Sequence, residues 1–271
     1  MRPDLLLVIH RALKTRLSSV ISTGVIENYV DQVLDTFESQ NIFAATLLEP
    51  DFDPADLANE LRVFASSASL FGAEFAGGTT AEPELRTTLV ADADRAAAAS
   101  SATLSNRVVQ DMRLNLFNVI TDLDARIRVG EAEFSRVQLR PQLVADSQRI
   151  TDQRISTVAE LQTTRLSAAG GLQSLSAQGA VFYRWSAVLL DSCPICTALD
   201  GQTFLVQPSL EQITGALQSE SDDEIRERQP FPPQNRTAIE EFLGMTSADI
   251  QAAGYAVPPA HPFCRCLVTT V

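Results

Sequence analysis

Cys193 and Cys196 form a C-x-x-C, and Cys264 and Cys266 belong to a second cluster, His261-Pro262-Phe263-Cys264-Arg265-Cys266, near the end of the 271-residue chain. They are the only cysteines, and His261 is one of just two histidines. Two short-spaced thiol motifs separated by a long insertion suit a small zinc site. One loop presents two thiolates to an ion, and a second loop must complete the tetrahedron. Five side chains compete here for four places: Cys193, Cys196, His261, Cys264 and Cys266. His261 with Cys264 would complete one set, and Cys264 with Cys266 an all-thiolate one. The fifth group could then act around the ligands. A filled shell leaves no place for water, so such an ion is structural, and it can supply ~10 kcal/mol or more of folding free energy.

The same residues admit two other chemistries. One cysteine from each pair could form a disulfide, which a reducing cytoplasm disfavours. A thioredoxin-like role for Cys193-Pro194-Ile195-Cys196 needs the motif at a helix N-terminus in a βαβ unit, whereas the flanking pattern reads as a hairpin loop. His10, the other histidine, falls on the first helix and reads as a surface or partly buried side chain rather than a catalyst.

The elements around the cysteines follow from periodicity. Val181 to Leu189 is aromatic and β-branched and predicts a strand. Asp200-Gly201 predicts a turn, and Thr203 to Val206 a returning strand, so the C-x-x-C occupies the loop between them. Cys266 to Val271 supplies a third strand. The insertion, residues 207–259, predicts two short helices, with capping boxes at Ser209-x-x-Gln212 and Thr237-x-x-Glu240. Its acidic run, residues 220–224, reads as a solvated loop, and Pro230, Pro232 and Pro233 as a stiff connection. A β-unit this small is marginal without a staple.

Upstream the chain reads as helix almost throughout. Ile9, Leu13, Leu17 and Val20 make one stripe, and Ile26, Val30, Val33 and Phe37 a second. Asp53-Pro54 starts a third helix, whose stripe is Leu57, Leu61, Phe64 and Phe71. Gly77-Gly78 and Pro83 break the chain. Leu104, Val108, Met112, Leu116, Ile120, Leu123 and Ile127 then recur every three or four residues. Pro141 marks a kink or restart. Residues 142–168 carry a thin stripe among Gln, Arg, Ser and Thr, a pattern expected of a helix that crosses solvent or meets a partner. Gly170-Gly171 should end it. The fold class expected is mainly α: a helical N-terminal region (1–80), a long-helix segment (81–180) and a small zinc-stapled α+β module (181–271).

Composition narrows the function. The net charge is −13, from 34 acidic and 21 basic residues, and Lys14 is the only lysine. That balance disfavours coating nucleic acid, which needs clustered cations, although Arg136, Arg140, Arg149 and Arg154 could form a local basic face. No apolar run approaches the ~20 residues of a membrane span. Leu5 to Ile9 is too short for a signal-peptide core, so the expected site of synthesis and assembly is a cytoplasm. No paired-carboxylate, nucleotide-binding or Ser/His/Asp pattern marks residues 1–180, so no enzyme is expected.

Trp185, Asp191-x-Cys193-x-x-Cys196, Asp200-Gly201, an insertion, and Pro259-x-His261-Pro262-x-Cys264-Arg265-Cys266 occur in an order that resembles the phage head morphogenesis proteins. These are the Mu-F-like minor head proteins of tailed bacteriophages. The likeness spans roughly residues 145–271 and includes Thr164-Arg165 in the polar helix. It implies a structural virion protein, present in few copies around the portal vertex and acting in head assembly and genome packaging or delivery. Its implied partners are portal and capsid proteins, with incidental contact with packaged DNA and no membrane. Cys193, Cys196, His261, Cys264 and Cys266 would then hold the C-terminal module together, with Trp185 beneath the metal loop and Asp191 and Arg265 pairing or orienting ligands. The 64 residues between Cys196 and His261 are long for this pattern. An effector or enzyme domain fused to such a module, or a zinc-stapled protein- or DNA-binding module, is the alternative.

Overall fold

The computed structural model describes residues 4–39, 45, 48–77, 83–131, 133–187, 192–219, 221–232 and 235–271. Gly78, Val188, Leu189, Asp191, Glu220 and Pro233, singled out above, lie outside this set. The chain is mainly helical with a small three-stranded antiparallel sheet at its C-terminal end. Among the described residues the longer helices come first: α1 (Asp4–Val20), α2 (Thr23–Glu38), α3 (Pro54–Phe75), α4 (Pro83–Arg128) and α5 (Arg136–Ala177). Two compact units draw on non-contiguous stretches of them. One combines Lys14–Leu57 with Leu104–Ser156; the other combines Met1–Leu13, Ala58–Thr103 and Thr157–Val271.

The stripes expected from sequence are the buried ones. Ile26, Val30, Val33 and Phe37 on α2 face inward, as do Leu104, Val108, Met112, Leu116 and Ile120 on α4. Val20 is only half-buried, and Ile21 takes its place. Asp53 caps α3 through a 2.8 Å bond from the Ala55 amide to its Oδ1. In the first unit, arginines of α5 grip α2. Arg140 makes a two-pronged contact with Asp31, at 2.8 and 2.9 Å, and Arg136 binds Asp31 at 3.2 Å and also Asp35. Arg154 binds Asp111, and Arg149 binds Asp146 at 3.2 Å. All four arginines of the expected basic face are therefore paired with carboxylates.

In the second unit α3 and α5 cross at backbone contact. A Cβ on Gly72 would lie 1.8 Å from the Ser167 carbonyl oxygen, and one on Gly170 would lie 1.9 Å from that of Ser69. A Cβ on Gly171 would meet the Val268 side chain at 2.4 Å. Gly170-Gly171 does not end the helix, as expected from sequence; α5 runs through it to Ala177. The glycines serve close approach instead. Pro141 also lies inside α5 without ending it. Much of this helix's polar side faces protein: Ser147, Thr151, Glu160, Gln162, Thr163, Thr164, Arg165, Ser167 and Ser174 are buried, while Gln142, Arg149 and Gln153 stay exposed.

The sheet consists of β1 (Phe182–Ser186), β2 (Thr203–Leu205) and β3 (Leu267–Thr270), in the order β2-β1-β3. Tyr183 pairs with Phe204 and Thr270, and Trp185 pairs with Val268. Alternation turns Tyr183 and Trp185 into the core, where both are fully buried. Between β1 and β2 the chain forms a short helix, α6 (Pro194–Leu199), which the hairpin-loop reading lacked. Gly201, at φ 76°, completes the return with its amide bonded to the Trp185 carbonyl at 2.9 Å.

Among its described residues the insertion holds four helices rather than two: α7 (Val206–Leu217), α8 (Asp222–Arg228), α9 (Arg236–Leu243) and α10 (Ser247–Ala252). Neither expected capping box caps anything. Ser209 is buried inside α7, and Thr237 sits one residue inside α9, whose cap is Asn235. The acidic run opens α8, capped by Ser221, and the reciprocal box is Thr246 with Asp249 at α10. The insertion's helices are fastened by side-chain amides. Gln251 donates to the Leu205 carbonyl at 3.0 Å and accepts from its amide at 3.1 Å, filling the edge of β2. Gln212 donates to the Gly254 carbonyl at 2.6 Å.

Two outcomes follow from these contacts. Gly170→Ala forces a methyl group into backbone and should cost about 1–3 kcal/mol or more in urea unfolding, whereas Gly130→Ala, with open space around it but a positive φ of 73°, should cost less. Hydrogen bonds from Arg140, then Arg136, hold the Asp31 carboxyl below the usual carboxylate range, opposed by partial burial. A depressed folded-state pKa adds stability that is complete above the unfolded value of about 3.9 and lost as pH falls through the folded one. Asp31→Asn should therefore flatten the acid limb of a stability–pH profile below about pH 4.

Candidate metal centre

Cys193 is the residue before α6, and Pro194 occupies the helix's first position with its φ already suited to the turn. The Cys196 amide points back at the Cys193 sulfur, 3.4 Å away. A single helical turn thus brings both sulfurs of the C-x-x-C to one side. The second cluster arrives 68 residues later. His261 Nε2 lies 3.2 Å from the sulfurs of both Cys193 and Cys196. Its Nδ1 faces the Pro262 carbonyl oxygen at 2.5 Å. A proton on Nδ1 satisfies that contact and leaves the Nε2 lone pair directed at the thiols, the tautomer a metal-bound imidazole needs.

Cys264 comes next, its sulfur 3.8 Å from that of Cys196. The donors fall into two overlapping triples, Cys193/Cys196/His261 and Cys196/Cys264/Cys266, each with its donor atoms within 4.8 Å of one another. All five residues named from sequence are therefore brought together, and the cluster can bind a metal ion. Cys196, Cys264 and Cys266 are buried, Cys193 is partly open, and all four are free thiols. The sulfurs share protons unevenly. A hydrogen bond from Cys196 drives the Cys264 thiol well below its ordinary range, and that same contact, with burial, pushes Cys196 up. Cys266 is pushed up on balance: the Cys196 thiol lowers it, but the Cys264 sulfur and burial outweigh that contact and the small opposing one from the Trp185 indole beside it.

What positions the second cluster is α5. Thr164 donates from Oγ1 to the Cys264 carbonyl at 2.7 Å. Arg265, between the two cysteines, donates to Glu160 Oε1 at 2.7 Å, and Glu160 is nearly fully buried. His10 of α1 stands on the same carboxylate oxygen, 3.5 Å away, so it is a buried side chain rather than a surface one. The suggested partner of Arg265, Asp191, lies outside the described residues, and Glu160 fills that role. Arg165, the neighbour of Thr164, is buried, and desolvation lowers its pKa to about 10. Its Nε donates to Gln229 Oε1 at 2.8 Å, and the Gln229 amide continues to the carbonyls of Val257 and Pro258. Thr164-Arg165 thus secures both the metal loop and the insertion. Sequence reading missed Glu160 and Gln229; the signal for Glu160 was that it is the only carboxylate between Asp152 and the end of α5.

No protein-family model, curated protein or solved structure matches this chain.

The buried carboxylate supplies a test of how the loop is held. Arg265→Ala leaves Glu160 without its guanidinium partner and should cost about 2 kcal/mol, below the full value for a buried pair because Arg265 is a third exposed. Glu160→Gln combined with Arg265→Ala should recover part of that loss in a double-mutant cycle read by denaturant unfolding.

Proposed function

We propose that this chain is a structural minor head protein of a tailed bacteriophage whose C-terminal module is stapled by one zinc ion. The observation that carries the metal reading is the meeting of Cys193, Cys196 and His261, with Cys264 3.8 Å from Cys196. A zinc ion with sulfur ligands at about 2.3 Å sets neighbouring sulfurs roughly 3.8 Å apart in a tetrahedron. Thiolates with one imidazole are donors that suit zinc. On this reading Cys193, Cys196, His261 and Cys264 are the ligands. Cys266, beside Trp185, supports them from outside. The ion closes the loop between the two motifs and leaves no position for a reacting water.

The head-protein reading rests on the ordered motif described above and on what its residues do in this fold. Of the residues that carry the resemblance, Trp185, Cys193, Cys196, His261, Cys264, Arg265 and Cys266 gather at one site with Thr164-Arg165. Virion placement, few copies around a symmetric vertex and portal and capsid partners follow from that likeness. The pairing of Arg136, Arg140, Arg149 and Arg154 with carboxylates favours protein partners over DNA. Among the described residues no helix is long and apolar enough to cross a membrane.

Elemental analysis of the purified chain should give one zinc per molecule, and a thiol titration in denaturant and chelator should give four thiols. Cys266→Ser should keep the zinc; Cys196→Ser and His261→Ala should lose it. Because the ligands must be deprotonated, zinc affinity should fall as pH is lowered. Absence of metal with two or fewer thiols overturns the zinc staple. The head reading is tested by co-expression with the portal protein of the virus it would belong to: co-sedimentation with the portal assembly is expected, and particles that form normally without the chain overturn it.

A further inference from the structure

A zinc ion held by Cys193, Cys196, His261 and Cys264 leaves Cys266 with no bond to make. Side chains two apart in an extended stretch share a side. Cys264 and Cys266 follow that rule, while Arg265 between them turns to Glu160. Their companion is Cys196, whose sulfur is 3.8 Å from that of Cys264. The sulfurs of Cys196, Cys264 and Cys266 all lie within 4.8 Å of one another, and all three residues are buried. Cys193 and His261 belong to the other triple and are partly open.

Three buried sulfurs suit a particular kind of ion. A triangle of sulfurs 3.8 Å apart holds an ion in its plane at about 2.2 Å, a metal–thiolate bond length. Zinc asks for a fourth ligand, which burial denies to a triple on its own. Monovalent copper is soft, prefers thiolates and is satisfied by three of them. The surroundings favour a metallated Cys266. Trp185 is fully buried beside it, and the indole N–H has no hydrogen-bond partner among the described residues. A thiol is a weak acceptor, whereas a thiolate accepts strongly. The backbone amides of Ala260 and Cys266 face the Cys264 sulfur in the same sense. These N–H groups answer the negative charge that three thiolates keep around an ion of single charge.

We propose that Cys196, Cys264 and Cys266 form a copper(I) site that shares two sulfurs with the zinc set, so that one metal is bound in exchange for the other. Cys266 is then a ligand of copper and a bystander to zinc. Copper binding frees Cys193 and His261 and expels the zinc ion, and any thiol that still carries a proton gives it up to solvent. The exchange rests on the zinc reading above; the copper site does not.

The full chain as purified is titrated, without oxygen, with copper(I) drawn from its coloured bicinchoninate complex. One copper per chain is expected, with one zinc released for each copper taken up. Trp185, the only tryptophan, should lose fluorescence as copper binds beside it. Cys266→Ser should keep its zinc, lose the quenching of Trp185, and bind copper more weakly by at least the roughly 10–100-fold that an outer partner is worth. His261→Ala should do the reverse, losing zinc while copper affinity and quenching persist. Wild-type copper affinity in Cys266→Ser, copper bound beside a retained zinc, or loss of both metals in either variant overturns the proposal. A chain that takes no zinc but shows the Cys266-dependent copper site supports the proposal and overturns the zinc staple alone.

Discussion

Two stretches of chain, 68 residues apart at Cys193 and His261, must be brought within a few ångströms for the C-terminal module to exist as one piece. Neither stretch can hold that arrangement by itself. The C-x-x-C is fixed by one turn of α6, which places its sulfurs but not their partners. The second cluster has almost no regular structure and depends on contacts outside itself. These come from α5, where Thr164 takes the Cys264 carbonyl and Glu160 takes Arg265. Helix α5 can do this only because its glycines let it lie against α3 at backbone distance while Gly171 receives Val268 of β3. The close helix crossing, the polar ties and the thiol cluster are thus successive supports of one site.

This chain of support explains which sequence readings held. Apolar stripes on α2 and α4 were legible because burial there is a matter of local periodicity. So were the three strands and the convergence of five donors, since alternation and motif spacing carry that information. The errors have a common origin in tertiary context. Gly170-Gly171 reads locally as a stop, because glycine lacks a Cβ and weakens helices; the same lack of a Cβ permits contact with Ser69 and Val268. Residues 142–168 read as a helix that crosses solvent or meets a partner, because a polar side chain looks the same in sequence whether its partner is water or a buried carbonyl. The pattern of a hydroxyl residue followed by Glu or Gln fits Ser209 and Thr237, yet hydrogen-bonded caps come from Ser221, Asn235 and Thr246. Short polar patterns recur by chance, and only the chain's direction at that point decides which of them caps.

The electrostatics of the chain follow the same logic at two depths. On α5, Arg136, Arg140, Arg149 and Arg154 meet carboxylates in partly exposed settings, where ion pairs mainly guide orientation and contribute little energy. Arg165 and Glu160 are buried, and each is held by a specific hydrogen-bonding partner, Gln229 or Arg265. A buried charge with one good partner tolerates few alternative arrangements. The specificity of the second cluster's placement therefore resides in these two residues more than in the apolar contacts around them.

Three glutamines show how the insertion can be long without disturbing the sheet. Gln212 and Gln251, within helices, and Gln229, just after α8, reach backbone carbonyls with which they share no strand pairing. A glutamine amide both donates and accepts, and it sits at the end of a flexible stem. The helices it serves need not keep register with the strands, as a fourth strand would. Drift in their length or angle can be absorbed by a change of rotamer. The segment between the two cysteine motifs is thus free to diversify in evolution, provided an amide still returns to each of these few carbonyls.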